Sequence, residues 1–137
     1  MPRVTGPLLA PMDFAARMVG VPWVRWAASW EASDCYGLVV MYWRHVLGVD
    51  VGDVPRTDIA SGFAGIRGWS ECGPEPRACG FMTWRDGAPT HCGVLLPGGM
   101  LLHAQEDGRG GGSVRMTRLA VMARACPDLR FYRFTPC

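Results

Sequence analysis

One cysteine has the residue type and the position of a hydrolase nucleophile. Cys35 directly follows Ser33-Asp34, a pair typical of a helix N-cap, so its thiol is predicted in the first turn of a helix. The unpaired N–H groups and the dipole of a helix start stabilise a thiolate, which is the reactive form of cysteine. The same backbone N–H groups at Cys35 can serve as oxyanion donors when an acyl carbon is attacked.

Two of the three histidines are predicted to supply the base that such a thiol needs. His45 lies inside the Cys35 helix, whereas His91 and His103 flank the segment LLPGG between two apolar runs. A Pro-Gly-Gly turn of this kind predicts an antiparallel hairpin, in which the outer strand ends lie side by side. We therefore predict His91 as the general base and His103 as the residue that orients it.

Each of these residues taken singly has a plainer interpretation. A cysteine at a helix start is more often a small buried residue, and a histidine at a strand end is more often a polar residue with satisfied hydrogen bonds. The prediction depends on the conjunction of the three.

The elements that must position these residues differ between the two halves of the chain. Asp13 is predicted to cap a short helix over residues 14–18, and a second helix is predicted from Cys35 to Gly48. Residues 49–78 are rich in Gly and Pro, and we predict one helix from about Thr57 to Ile66 with surface loop elsewhere.

The C-terminal half alternates short apolar runs with turn residues, which is a strand and hairpin pattern. The runs are GFMTW, HCGVLL, MLLHA, SVRM and RFYRF. Helices followed by an antiparallel sheet predict an α+β fold, with the nucleophile at a helix start packed on a small sheet.

Size and composition limit the class of protein. The 137 residues fit one domain, which we predict to span residues 1–137. Apolar residues make up 49% and charged residues 19%, a globular balance. The net charge of +2 comes without a basic run, so no nucleic-acid partner is predicted. No segment has the length of a membrane span and the N-terminus lacks a signal-peptide pattern, so we expect synthesis in the bacterial cytoplasm without a signal peptide.

The other cysteines are predicted to be reduced and structural, because no export signal indicates an oxidising compartment. They are Cys72, Cys79, Cys92, Cys126 and Cys137. Cys92 directly follows the predicted base, so it should point to the opposite face of its strand, into the core.

A zinc site is the alternative for part of this set. Cys72, Cys79, His91 and Cys92 could supply its ligands, but the first two are separated by more than the usual two to four residues, and adjacent strand residues point apart. We therefore predict neither a metal nor a cofactor.

Charged and aromatic connector residues could line the site or simply cover the molecule. A solvated surface position is the usual one for charged loop residues such as Arg25, Glu31, Arg85 and Asp86. The N-terminal connector carries Trp23, Trp26 and Trp30, for which we predict core packing, with an assembly surface as the alternative. No substrate-binding residue is assigned.

The sequence also resembles a known family. DCYGLV, followed some fifty residues later by HCGVLLPGGMLLHA, resembles the two signatures of the NlpC/p60 papain-like cysteine peptidases, and VGVPW and RFYRF extend the match to about residues 14–134. The resemblance implies a papain-like NlpC-type fold with Cys35, His91 and His103 as nucleophile, base and third polar member. Trp23 falls where many relatives carry a tyrosine, and an indole cannot accept a hydrogen bond as that hydroxyl does.

The function implied by this resemblance is hydrolysis of the peptide stems of bacterial peptidoglycan. Short relatives with these motifs are similar to tail-tip peptidases of phages and gene transfer agents, so we expect assembly into such a tail beside other tail-tip proteins. One alternative is a catalytically silent structural tail-tip protein with the same fold. Another is acyl transfer or amide hydrolysis on lipids or small molecules, which a broad apolar cleft would favour.

Overall fold

The computed structural model describes residues 6–75 and 79–135, and within them four α-helices and six strands are present. The helices are α1 (Pro11–Met18), α2 (Cys35–Tyr42), α3 (Ile59–Gly65) and α4 (Leu119–Ala125). The strands are β1 (Trp69–Cys72), β2 (Gly80–Arg85), β3 (Ala88–Leu96), β4 (Met100–Glu106), β5 (Gly112–Arg118) and β6 (Leu129–Phe134). None of the described helices is both long enough and apolar enough to cross a membrane.

The six strands form one antiparallel sheet in the order β1-β6-β2-β3-β4-β5. The predicted hairpin is present, with Val94 opposite Leu102 and Leu96 opposite Met100 around the turn at residues 97–99. α2 packs across β3 and β4. The predicted α+β fold, with a helix start placed against an antiparallel sheet, is confirmed.

α2 forms and stays buried because its sequence is apolar on every side, as expected for a helix that crosses the core. Asp34 caps it as predicted, and its carboxylate accepts the Gly37 N–H. The helix continues through a π-helical turn over Trp43–Leu47 and ends at Gly48, whose φ of 72° is left-handed. The predicted end of the helix at Gly48 is confirmed, but the wider π turn was not predicted.

Two apolar layers cover the two faces of the sheet. Residues such as Val94 and Leu102 face α2, while the alternate residues Leu95 and Leu101 pack with Phe81 on the other side. This alternation follows from the two-residue period of strands. It puts His91, Gly93 and Leu95 of β3 on the face with Phe81.

The prediction for the first helix was wrong at its start. Its N-cap is Ala10, with Pro11 in the first turn, and Asp13 lies within that turn without capping it. Proline suits the first helical position because its fixed φ is helical and its missing N–H would be unpaired there.

The prediction for residues 49–78 was right for a helix and wrong for the rest. α3 begins after Asp58, which accepts the Ser61 N–H, and lies inside the predicted Thr57–Ile66. β1 lies in the stretch predicted as loop, because a four-residue strand that pairs only with the distant β6 leaves little local signal. Residues 76–78 lie outside the described part of the chain.

Candidate active site

Cys35 is the first residue of α2, and Asp34 anchors this helix start. The Asp34 carboxylate is buried and accepts two backbone N–H groups, from Gly37 at 2.7 Å and from Trp26 at 2.8 Å. Burial raises the pKa of Asp34, while these two hydrogen bonds act in the opposite direction. The carboxylate thus ties the helix to the preceding connector and fixes the position of the half-buried Cys35.

The two histidines are joined to each other and to a threonine. His91 Nε2 lies 3.0 Å from His103 Nδ1, and His103 Nε2 lies 2.8 Å from Thr117 Oγ1. The three residues come from the neighbouring strands β3, β4 and β5. The predicted pair is therefore present, and a third polar residue extends it.

The tautomer of His103 sets the direction of this network, and one of its two tautomers suits a general base at His91. Burial and then the positive charge of neighbouring His91 and Arg115 lower the pKa of His103 to about 4, so His103 is neutral at neutral pH and carries one ring proton. With His103 Nε2–H donating to Thr117, its Nδ1 accepts from His91 Nε2–H. His91 Nδ1 is then the free acceptor that a thiol proton requires.

The Cys35 thiol is activated by its surroundings. Interaction with the Cys92 thiol, and then with the His91 imidazole, lowers the pKa of Cys35 well below its usual value in spite of burial. The pKa of Cys92 is raised well above its usual value by Cys35 and by burial, so Cys92 stays a thiol. Its S–H is the group that can stabilise a Cys35 thiolate.

Local sheet geometry makes room for the histidine pair. A Cβ on Gly93 would lie 2.9 Å from the His103 Cβ and 2.5 Å from Phe81 Cε2, so only glycine fits there. Phe81 lies edge-on to both imidazoles, with centroids 6.2 Å and 6.1 Å away. A β-bulge at Thr90, directly before His91, bends β3 at this point.

A groove of about 380 Å³ opens beside Cys35. Its lining is mainly apolar and comes from the N-terminal connector, the segment before α3 and α3 itself; it includes Trp23, Trp26, Val54, Ile59 and Phe63. Arg25, Asp34 and Asp58 are its charged residues.

The structure places the remaining predicted residues as follows. Trp23 and Trp30 pack against the core as predicted, but Trp26 is 38% exposed and lines the groove. The charged connector residues are exposed as predicted, namely Arg25, Glu31, Arg85 and Asp86. Arg25 also lines the groove.

The described cysteines lie in different parts of the structure. Cys92 is buried in the core on the α2 side, as predicted, but its contact with Cys35 was missed. Cys72 and Cys79 lie on the other side of the sheet. Within residues 6–75 and 79–135, no group of three or more Cys, His, Asp or Glu side chains could hold a metal ion. Cys137 lies outside the described residues.

Thr117 is the site residue that sequence reasoning missed. It lies on β5 between Arg115 and Arg118, and it belongs to no recognisable sequence motif. The signal that could have found it is strand alternation, because a strand paired with the end of the predicted MLLHA run places a side chain beside His103.

Comparison with known proteins adds a fold relationship to this geometry. No family model and no curated protein matches the sequence. The NlpC/p60 domain of peptidoglycan hydrolase SagA superposes with a TM-score of 0.62 at 20% identity, covering 92% of this chain and 97% of that one. This chain has the NlpC/p60 fold.

Two further NlpC/p60 structures are similar over a smaller part of their own length. A family protein from Bacillus cereus gives a TM-score of 0.65 at 18% identity and 95% coverage of this chain. A lipoprotein-like protein from Staphylococcus aureus gives 0.62 at 20% identity and 93% coverage. The chain spans 42% and 41% of these two proteins, respectively. The predicted NlpC-type fold is confirmed.

Proposed function

We propose that this protein is a cysteine peptidase that hydrolyses the peptide stems of bacterial peptidoglycan. The observation that supports the proposal is the hydrogen-bonded row of His91, His103 and Thr117, together with Cys35, which borders the groove and whose pKa is lowered in part by His91. The described fold neighbour SagA is a peptidoglycan hydrolase, which supports this substrate class.

In the acylation step, the Cys35 thiolate attacks the carbonyl carbon of the scissile amide. The carbonyl oxygen becomes an oxyanion, which the backbone N–H groups at the start of α2 stabilise. His91 Nδ1–H gives its proton to the departing amine, and the C–N bond breaks. Throughout, His91 Nε2–H keeps donating to His103, so the ring does not turn between its neutral and protonated states.

In the deacylation step, a water molecule replaces the departed amine. His91 Nδ1 removes a proton from it, and the resulting hydroxide attacks the thioester carbon. The C–S bond breaks, the carboxylic acid leaves, and Cys35 returns as the thiolate beside protonated His91. Cys92 stabilises this thiolate between turnovers through its S–H.

Mass spectrometry of purified peptidoglycan fragments tests the proposal. Under reducing conditions, we expect the wild type to cut stem peptides, and Cys35→Ala and His91→Ala to leave them intact. His45→Ala is the matched control, because His45 lies on the same helix but packs against Trp30 and away from the thiol. Intact fragments with the wild-type protein would contradict the proposal.

A catalytically silent tail protein is the competing interpretation, and an active-site probe separates the two. A structural protein has no need for a lowered thiol pKa and a directed histidine pair. We expect iodoacetamide to modify Cys35 faster than Cys126, and the rate to drop in His91→Ala. Equal rates for both cysteines would favour the silent alternative.

The groove favours a second candidate function, which is the hydrolysis of an amide in a lipid or small molecule that carries an apolar acyl chain. Its walls are mainly apolar, and the Asp34 carboxylate within it is already bound to backbone N–H groups. Arg25 is the basic side chain among the lining residues that the structure describes, so it is the one that could meet a substrate carboxylate. Incubating the protein with N-acyl amides in parallel decides the point, since turnover of these and not of stem peptides would select the second candidate.

We further propose that the protein is made in the bacterial cytoplasm and reaches the cell wall in the tail of a phage or phage-like particle, in contact with other tail-tip proteins. The support is the likeness of its motifs to short tail-tip peptidases. Proteomics of purified particles from the producing strain tests this, and absence of the protein from particles that contain their other tail proteins would refute it.

A further inference from the structure

Two cysteines outside the active site lie within reach of each other. Cys72 Sγ and Cys79 Sγ are 3.2 Å apart, although both thiols are free. Cys72 ends β1 and Cys79 directly precedes β2, and β6 runs between these two strands. The two sulfurs are therefore close although β1 and β2 are not neighbours in the sheet.

We propose that Cys72 and Cys79 form a disulfide bond that joins β1 to β2 over β6. The sulfurs need to approach by roughly 1 Å to reach bonding distance. Because the two sulfurs already lie 3.2 Å apart in the folded protein, closing the bond restricts the unfolded chain more than the folded one.

Contacts around the pair hold it in place. The Glu75 N–H donates to Cys79 Sγ at 3.3 Å, and Cys79 Sγ lies 3.5 Å from the Gly73 carbonyl oxygen. Glu75 also forms an ion pair with Arg133 of β6. The connection between the cysteines is thus fastened to the strand that the disulfide would cross.

Exposure decides the order of the chemical steps. Cys72 is half-buried and Cys79 is completely buried, so Cys72 meets an oxidant first. With a small-molecule disulfide as oxidant, the Cys72 thiolate attacks one of its sulfurs and releases a thiolate. Cys79 then loses its proton, attacks Cys72 Sγ and releases the second small thiol. Two protein thiols are oxidised and one disulfide is reduced to two thiols.

The rate of this reaction should depend on pH. Burial and the hydrogen bond with Cys79 raise the pKa of Cys72 to about 11, so little thiolate is present at neutral pH. Cys35, whose pKa is lowered, reacts sooner with the same oxidant. The oxidation is therefore studied in Cys35→Ala, in which the nucleophile cannot interfere.

The bond would stiffen a wall of the candidate site. Trp69 of β1 donates its indole N–H to the Tyr36 hydroxyl at 3.3 Å, and its ring packs on Trp43. Tyr36 directly follows the nucleophile on α2. Fixing β1 to the start of β2 would fix this contact as well.

To test the proposal, the Cys35→Ala variant is equilibrated in a series of glutathione buffers from reducing to oxidising. Free thiols are then alkylated, the protein is digested, and the linked peptides are identified by mass spectrometry. We expect a peptide linked through Cys72 and Cys79, with the protein lighter by two hydrogen atoms. The melting temperature of the oxidised protein should exceed that of the reduced protein by about 5–10 °C, because the bond constrains the unfolded chain.

Two variants in the same background complete the test. Cys72→Ala should remove the linked peptide and the difference in melting temperature. Cys126→Ala should retain both, because Cys126 packs against the same apolar cluster without a sulfur partner among the described residues. Full alkylation of Cys72 and Cys79 in the most oxidising buffer, or a bond from either to another cysteine, would overturn the proposal. None of these readouts requires turnover, so the result is independent of the proposed function.

Discussion

His103 acts through its two ring nitrogens, each of which has one polar partner. It is 2% exposed, and its lowered pKa keeps it neutral. A neutral ring with a fixed tautomer gives His91 a permanent acceptor, whereas a charged one would repel the imidazolium that catalysis forms. Thr117 supports this tautomer, because its hydroxyl oxygen can accept the His103 Nε2–H.

Replacing Thr117 by valine tests this role. The change keeps the side-chain shape but removes the hydroxyl, which leaves the His103 Nε2–H unpaired. A lost partner of a buried polar group costs roughly 1–3 kcal/mol, so we expect kcat to fall by about tenfold or more with KM little changed. Thr117→Ser keeps the hydroxyl and should retain most of the activity. Equal losses in both variants would show that the hydroxyl does not matter.

The lowered pKa of His103 also predicts a pH dependence of stability. The unfolded chain binds a proton at the usual histidine pKa near 6.5, whereas the folded protein resists protonation until about pH 4. The contribution of His103 to the free energy of unfolding should therefore be fully present above pH 6.5. It should decrease as the pH falls toward 4, by at most about 3 kcal/mol.

Urea unfolding across this pH range checks the expectation. The wild type should show the decrease, and His103→Gln, which cannot be protonated, should show a flatter curve. Parallel curves for the two proteins would mean that other groups cause the loss.

At the scale of elements, the pairing of His91 with His103 depends on how closely β3 and β4 approach. Gly93 stands where any side chain would meet Leu102 and His103 from β4 and Phe81 from β2. The distance from its virtual Cβ to the Leu102 carbonyl oxygen is 2.4 Å, which no real contact tolerates. The pairing of β3 with β4 and the hydrogen bond between His91 and His103 therefore both require a residue without a side chain at position 93.

We predict that Gly93→Ala lowers the free energy of unfolding by about 3 kcal/mol, because the added methyl group must push backbone apart. Thermal unfolding measures this effect. Gly65→Ala is the matched control, since a Cβ there meets no atom within 4 Å and alanine favours its helix. A fall in stability that is no larger for Gly93→Ala than for Gly65→Ala would contradict the steric explanation.

Sequence alone could predict the elements whose signals are local. Asp34 before an apolar run marks the start of α2, and Pro-Gly-Gly marks the turn that brings His91 and His103 together. Features that depend on distant pairing could not be predicted. β1 is defined by its pairing with β6, and the polar end of the network, Thr117, by the register of β5 on β4.

At the scale of the whole molecule, the order of the sheet differs from the order of the chain. β6, from the last part of the sequence, lies between β1 and β2, and Phe131 pairs with both Cys72 and Phe81. Without β6, β2 would become an open edge and β1 would lose its partner strand. Exposed edges of this kind pair with other molecules.

A chain that ends at Asp128 is therefore expected to aggregate or remain unfolded. A chain that ends at Thr135 keeps β6 together with the hydrogen bond from Thr135 to the Gly68 carbonyl, and it should fold as the full-length protein does. Size-exclusion chromatography and circular dichroism compare the two. A monomeric, folded protein without β6 would contradict the importance of this strand.

The late position of β6 also affects the synthesis of the protein. A ribosome has translated Cys35, His91 and His103 long before it reaches residues 129–134. The nascent polypeptide therefore carries Cys35, His91 and His103 while β1 and β2 still lack the strand that lies between them. The sheet that carries the two histidines is completed only after residues 129–134 have been translated.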